Sequence, residues 1–224
     1  MAINLKSTKG LHANGVKALI YGHAGAGKTS LIPTLPAPIV LSAEGGLLSI
    51  ADADVPYIEV ANMADLVEAY EWLLNSTEAS QYASVALDSI SEIAEVVLAE
   101  ELKRNKDGRA AYGELNTKMS ALIRDFRDLP AKHVYFTAKC EKAQDEQGRM
   151  LYSPSMPGKS LTMQLPYYFD LVMALRAEKD TEGNTQRMLM TDTDGLWTAK
   201  NRAAGKLDMW EAPDLGAIIE KIGG

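Results

Sequence analysis

Residues 22–30 read Gly22, His23, Ala24, Gly25, Ala26, Gly27, Lys28, Thr29 and Ser30. This spacing suits a phosphate. Gly25 and Gly27 let successive backbone N–H groups turn inward, the Lys28 ammonium reaches the outer phosphates, and the Thr29 hydroxyl is a hard oxygen suited to Mg2+. His23, Ala24 and Ala26 serve through their backbone rather than their side chains. Such a loop needs a strand before it and a helix after it. The apolar run from Val16 to Tyr21 supplies the strand, and a short helix stopped by Pro33, Pro36 and Pro38 is expected to follow.

A partner carboxylate for the metal should stand at the end of another hydrophobic strand, and Asp88 ends the run Ser84-Val85-Ala86-Leu87-Asp88. The plainer reading of Asp88 is a cap on the helical pattern that begins at Ile90. Splitting a phosphoanhydride with water also requires an acid to orient or deprotonate that water. The residue after Asp88 is Ser89, so the acid must come from elsewhere. Glu44, just past the strand Pro38–Ser42, is the candidate, and would lie beside the loop if its strand and the strand before the loop are near neighbours. A solvated loop glutamate is the plain alternative, and Glu92, inside a helical pattern, is a weaker competitor.

These residues need a scaffold. Short apolar runs at 38–42, 57–60, 84–88 and 133–138 alternate with helical patterns at 64–75 and 90–103, which predicts an α/β fold: a mostly parallel sheet covered by helices. From Phe169 onward the pattern changes to runs separated by turns at Gly183 and Gly195, so an antiparallel C-terminal extension is expected, followed by a last helix in 213–222. Two cation-bearing stretches, 103–113 and 139–160, carry no clear periodicity and read as loops.

With 224 residues, 46% hydrophobic and 24% charged, the chain fits one domain spanning 1–224, with residues 1–15 as a short lead. No apolar run approaches the roughly 20 residues of a membrane span. The lack of a secretory pattern at the start, together with the single Cys140, points to a cytoplasmic protein without intrachain disulfides. Three scattered His and one Cys do not make a zinc site. A net charge of −7 disfavours a globally basic nucleic-acid binder but not local basic loops.

The order of the loop 22–29, Glu44, Asp88-Ser89 and Ala199-Lys200-Asn201-Arg202 resembles the RecA/RadA recombinase core. It is most similar to core-only, phage-encoded RecA-like proteins that anneal single strands in recombination, over about residues 16–210. That resemblance implies ATP with Mg2+, a catalytic Glu44, and Asp88 as the magnesium aspartate. It implies DNA-binding loops at 103–113 and 139–160, and a γ-phosphate sensor at Lys139, where the family has Gln or Asn. It also implies that Lys200 and Arg202 reach the ATP of a neighbouring subunit in a homo-oligomer or filament. Single-stranded DNA and a single-strand DNA-binding protein are the implied partners, and the cytoplasm of a bacterial host is the implied location if the chain is phage-encoded.

Lys103, Arg104, Lys106 and Arg109 in the first stretch, with Lys139, Lys142, Arg149 and Lys159 in the second, could follow a strand's phosphates, and Tyr112 and Tyr152 could stack on bases. Two other classes remain open: a kinase acting on a nucleotide or small molecule, and a non-hydrolysing protein switched by ATP.

Overall fold

Strand β1 (Lys17–Gly22) is buried at every position, and its side chains alternate between two separate apolar layers. Leu19 and Tyr21 face one layer, Ala18 and Ile20 the other. A strand covered on both faces must be continuously apolar, which is why Ala-Leu-Ile-Tyr shows no polar alternation. The computed structural model describes residues 14–203 and 205–223. Most of the expected lead segment, residues 1–15, lies outside the described residues.

The chain continues through β2 (Pro38–Ser42), β3 (Tyr57–Glu59), α1 (Met63–Asn75), β4 (Ser84–Asp88), α2 (Ile90–Arg104), α3 (Gly108–Arg127) and β5 (His133–Gln144). It then forms β6 (Met150–Ser155), α4 (Lys159–Gln164), β7 (Leu171–Lys179), β8 (Thr185–Met190), β9 (Lys200–Asn201), β10 (Trp210–Glu211) and α5 (Leu215–Ile222). One sheet runs β10-β8-β7-β1-β5-β4-β2-β3, with β6 on β5 and β9 on β7. Strands β7, β1, β5, β4, β2 and β3 are mutually parallel. Strands β6, β8, β9 and β10 are antiparallel to their partners.

Helices α1, α2 and α3 cover one face through Leu66, Ile93, Val97, Leu115, Met119 and Phe126. Helix α5 and the segment after the glycine loop cover the other through Ile218, Ile219, Ile32 and Leu35. Among the described residues, no helix is long and apolar enough to cross a membrane.

The expected α/β architecture with an antiparallel C-terminal extension is present, but four details differ. The segment after the loop is a 3-10 helix, Thr29–Thr34, which runs through Pro33 instead of stopping at it. Strand β2 does not neighbour β1, since β5 and β4 stand between them. The stretch 103–113 is mostly helical, and only residues 105–107 separate α2 from α3. Asp107 caps α3 by accepting from Arg109 N at 2.9 Å, and Glu101, 3% exposed, ties the two helices through Lys118 at 2.6 Å.

The fourth difference is at 139–160, which holds the β5–β6 hairpin and the start of α4 instead of a long loop. Its turn is fixed by Asp145, whose Oδ1 accepts from Gln147 N and Arg149 N at 2.9 and 2.8 Å, and by Gly148 at φ 81°.

At the foot of β1, the buried Lys17 ammonium donates to Leu129 O at 3.1 Å and Lys132 O at 2.6 Å. Burial lowers its pKa from 10.5 to about 8, against partial compensation by Asp170. The folded chain therefore holds this proton less tightly than the unfolded chain, so the penalty is fully present below pH 8 and fades as pH rises towards 10.5. The stability of the parent relative to Lys17→Met should rise across that window by at most about 1.4 kcal/mol per pH unit. Urea unfolding of both proteins at several pH values measures it, and a pH-independent difference would contradict the burial argument.

Candidate nucleotide site

The glycine loop leaves β1 at the carboxyl end of the parallel strands, where open α/β sheets place ligands. Gly25 and Gly27 have φ values of 76° and 102°, conformations that side chains disfavour. Gly22 is constrained differently: a Cβ there would sit 2.7 Å from Leu175 O of β7. Tyr135 of β5, buried at 1% exposure, donates its hydroxyl to Lys28 O at 2.8 Å and anchors the loop's far end.

Lys28 Nζ donates to Gly22 O at 3.0 Å and His23 O at 3.3 Å, bending back across the loop. Burial lowers its pKa, while Glu44 and then Asp88 pull it up. Both carboxylates therefore act on this ammonium, which joins three of the residues singled out by sequence.

Asp88 is 3% exposed, and both carboxylate oxygens are engaged. Oδ2 accepts from Thr29 Oγ1 at 2.7 Å, and Oδ1 accepts from Thr137 Oγ1 of β5. The peptide bond between Asp88 and Ser89 is cis. Helix α2 is capped by Ser89, not by Asp88: Ser89 Oγ accepts from Glu92 N at 3.3 Å. The same hydroxyl donates to Glu44 Oε1. Glu44 thus reaches the site although its strand is distant from β1, because β2 pairs with β4 in the register Ser42↔Asp88.

A hydroxyl and a carboxylate side by side, both hard oxygens, fit Mg2+, with Thr29 and Asp88 as the holding residues. Among the described residues no group of three or more His, Cys, Asp or Glu could hold a metal by itself, so phosphate oxygens and water would complete the shell.

The remaining expected site residues are engaged by other partners. Lys139 pairs with β1 at Gly22, but its ammonium is held by Glu92 at 2.7 Å and Glu95 at 3.0 Å on α2, which raises its pKa. The structure commits its ammonium to this ion pair with α2. Arg202 stands at the opposite end of β1 from the loop, since its N donates to Asp170 O and Asp170 N to Lys17 O, whereas Lys200, in register with Val172, is level with Leu19 midway along β1. Lys200 Nζ donates to Pro166 O at 3.0 Å and Phe169 O at 2.8 Å, and its pKa is lowered by burial and by Arg202. Arg202 pairs with Asp170 at 3.3 Å. Both cations are thus engaged by Pro166, Phe169 and Asp170 and not by the loop.

Of the aromatic candidates, Tyr152 is stacked on Trp197 at 4.2 Å and 7°, with the Lys142 ammonium 5.8 Å from its centroid, so its faces are used internally. His23 meets both rings edge-on at 5.8 and 5.7 Å, which gives this loop side chain a packing role. Tyr112 is 46% exposed and lies against Gly158.

Sequence reasoning missed Ser89 as the residue orienting Glu44, Thr137 as the second donor to Asp88, and Arg187 of β8, whose Nε donates to Ala26 O at 2.9 Å. A hydroxyl within the apolar run 133–138 was the only signal available for Thr137.

A family model described as an AAA domain matches residues 14–203. No curated protein matches the chain.

Removing the Thr137 hydroxyl leaves a buried carboxylate oxygen short of a donor. Thr137→Val should therefore lower stability by about 1–3 kcal/mol, and Thr137→Ser by much less. Urea unfolding measures both, and equal stability of the valine variant and the parent would contradict the described geometry.

Proposed function

The chain belongs to the AAA domain family and is a P-loop NTPase-type domain, and on that footing we propose that it is a Mg2+-dependent ATPase, stimulated by single-stranded DNA and working as a homo-oligomer. The observation that carries hydrolysis is the Glu44 carboxylate, exposed yet aimed by the buried Ser89 hydroxyl, next to Lys28 and the Thr29–Asp88 pair.

The steps follow from those positions. The loop's backbone N–H groups and the Lys28 ammonium hold the β and γ phosphates. Bound Mg2+ supplies charge neutralisation on the phosphate oxygens. Glu44 takes a proton from water as its oxygen bonds to the γ-phosphorus; the bond to the β–γ bridging oxygen breaks, and ADP leaves with the electron pair. A free Glu44 would sample many rotamers. The bond from Ser89, itself fixed by capping α2, holds the base where it is needed. A kinase reading would need this position kept free of a water-activating acid, which disfavours it. A purely switching protein would have no use for an oriented Glu44.

Support for DNA comes from the meeting of the two stretches expected to bind it. Tyr112 of α3 packs on Gly158, and Asn116 Nδ2 donates to Ser160 Oγ at 3.0 Å. This joins the exposed Lys106, Arg109, Tyr112 and Lys159 on neighbouring segments, a mixture of cations and an aromatic face suited to a single strand. For assembly, the position of Arg202 far from its own loop suits action on a neighbour's nucleotide. Lys200, with its ammonium on two carbonyls, better serves to shape that surface.

ATP turnover by the parent and variants tests this reading. Glu44→Gln should bind ATP but turn it over about 100-fold more slowly or worse, and Lys28→Ala should lose binding. Single-stranded DNA should accelerate the parent at low salt, where phosphate contacts are strongest. An unaffected Glu44→Gln would overturn the catalytic assignment, and turnover indifferent to DNA would overturn the DNA assignment alone. Mixing Arg202→Ala with Glu44→Gln subunits should restore part of the activity if the site is shared between subunits.

A further inference from the structure

Arg187 is unlike the ion-paired arginines of this chain. It lies in the antiparallel extension, 161 residues from the loop in sequence, yet its Nε is hydrogen-bonded to Ala26 O at 2.9 Å. Its Nε and Cδ lie 3.2 and 3.4 Å from where a Cβ on Gly27 would stand, so the side chain fills the space that this glycine leaves open. Among the described residues the guanidinium makes no salt bridge and no other hydrogen bond, in a protein with 30 acidic side chains. Its terminal N–H groups therefore stand at the rim of a phosphate loop with donors to spare.

The side from which it approaches is informative. Lys28, Asp88 and Glu44 lie on the β5-β4-β2 flank of β1, whereas Arg187 arrives from the β7-β8 flank. A triphosphate laid on the loop with its terminal phosphorus near Glu44 must run towards β7 at its other end. On that side a cleft of about 270 Å³ opens between the loop and β7, lined by His23, Ala24, Gly25, Arg176, Glu178 and Trp197. Ala177, which also lines it, is the cross-strand partner of Arg187, so the two side chains share a face of the hairpin.

We propose that Arg187 is a nucleotide ligand in the same subunit, its Nε bracing the loop at Ala26 and its terminal N–H groups gripping the phosphate nearest the nucleoside. This rests on the reading of the loop as an ATP site. Arginine suits the role because its planar fork aims Nε–H at the carbonyl and its terminal N–H groups at a phosphate in one fixed geometry, which a lysine's point charge does not impose. The antiparallel hairpin then has a reason to lie over the loop.

The experiment is equilibrium binding of ATP and of ADP, each with Mg2+, to the parent, Arg187→Gln, Arg187→Lys and Lys28→Ala, with unfolding curves for each protein. Arg187→Gln keeps an N–H for Ala26 O but loses the charge. It should weaken ATP and ADP alike by roughly tenfold or more, the scale of a charge-assisted hydrogen bond, and Arg187→Lys should recover part of the loss. The unfolding midpoint should stay at the parent value. Parent-like affinity of Arg187→Gln for both nucleotides would mean that the side chain only braces the loop, and would overturn the proposal. A loss confined to ATP would overturn the placement at the nucleoside end. Failure of the parent itself to bind either nucleotide would instead sink the ATP-site reading, a different outcome from parent binding that Arg187→Gln leaves intact.

Discussion

A carboxylate buried to 3% exposure at the end of β4 organises this site. Taking a charged Asp88 out of water is costly unless donors meet it, and two threonines do: Thr29 from the loop and Thr137 from the strand inserted between β1 and β4. Because one donor belongs to the glycine loop, satisfying Asp88 also sets the distance between loop and β4. The next residue carries the effect onward. Ser89 caps α2 and donates to Glu44, so one turn of chain fixes the Asp88 and Glu44 carboxylates together. The parallel pairing of β2 with β4, register Ser42↔Asp88, places Glu44 within reach.

The other flank of the loop is set by the antiparallel part of the sheet. Leu175 O leaves no room for a side chain at Gly22, and Arg187 occupies the space over Gly27. His23 touches the Tyr152–Trp197 stack, in which Tyr152 belongs to the β5–β6 hairpin. The loop is thus in contact with both hairpins, and the Arg176 guanidinium, 5.3 Å from the Trp197 ring, adds a cation–π contact to the same wall. A shift of the loop on binding phosphate would have packed neighbours on both sides to push against.

What could be read from the sequence was what is local. The loop 22–29 and the strand ending in Asp88 declare themselves within a few residues, because glycine conformations and apolar runs are local properties. Elimination points to Glu44, but how its strand reaches the loop, across β5 and β4, is not legible, because strand order depends on pairings that no local pattern encodes. Ser89 to Glu44 and Arg187 to Ala26 span 45 and 161 residues, so neither contact leaves a trace in spacing. Helix α3 was hidden because its first two turns hold Gly108, Gly113 and exposed charges, which blur the periodicity of Ala111, Leu115 and Met119. The β5–β6 ribbon extends beyond the body of the sheet, and its mostly half-buried residues mix polar and apolar types without clean alternation, which imitates a loop.

The central claim is that Ser89 acts on hydrolysis only through Glu44. A double-mutant cycle in single-turnover ATP hydrolysis tests it most directly, using Ser89→Ala, Glu44→Gln and the double variant, with ATP binding measured alongside. The account predicts that Ser89→Ala alone slows the step and that the double variant is no slower than Glu44→Gln. Losses that multiply, making the double variant slower than either single one by the product of their effects, would contradict it.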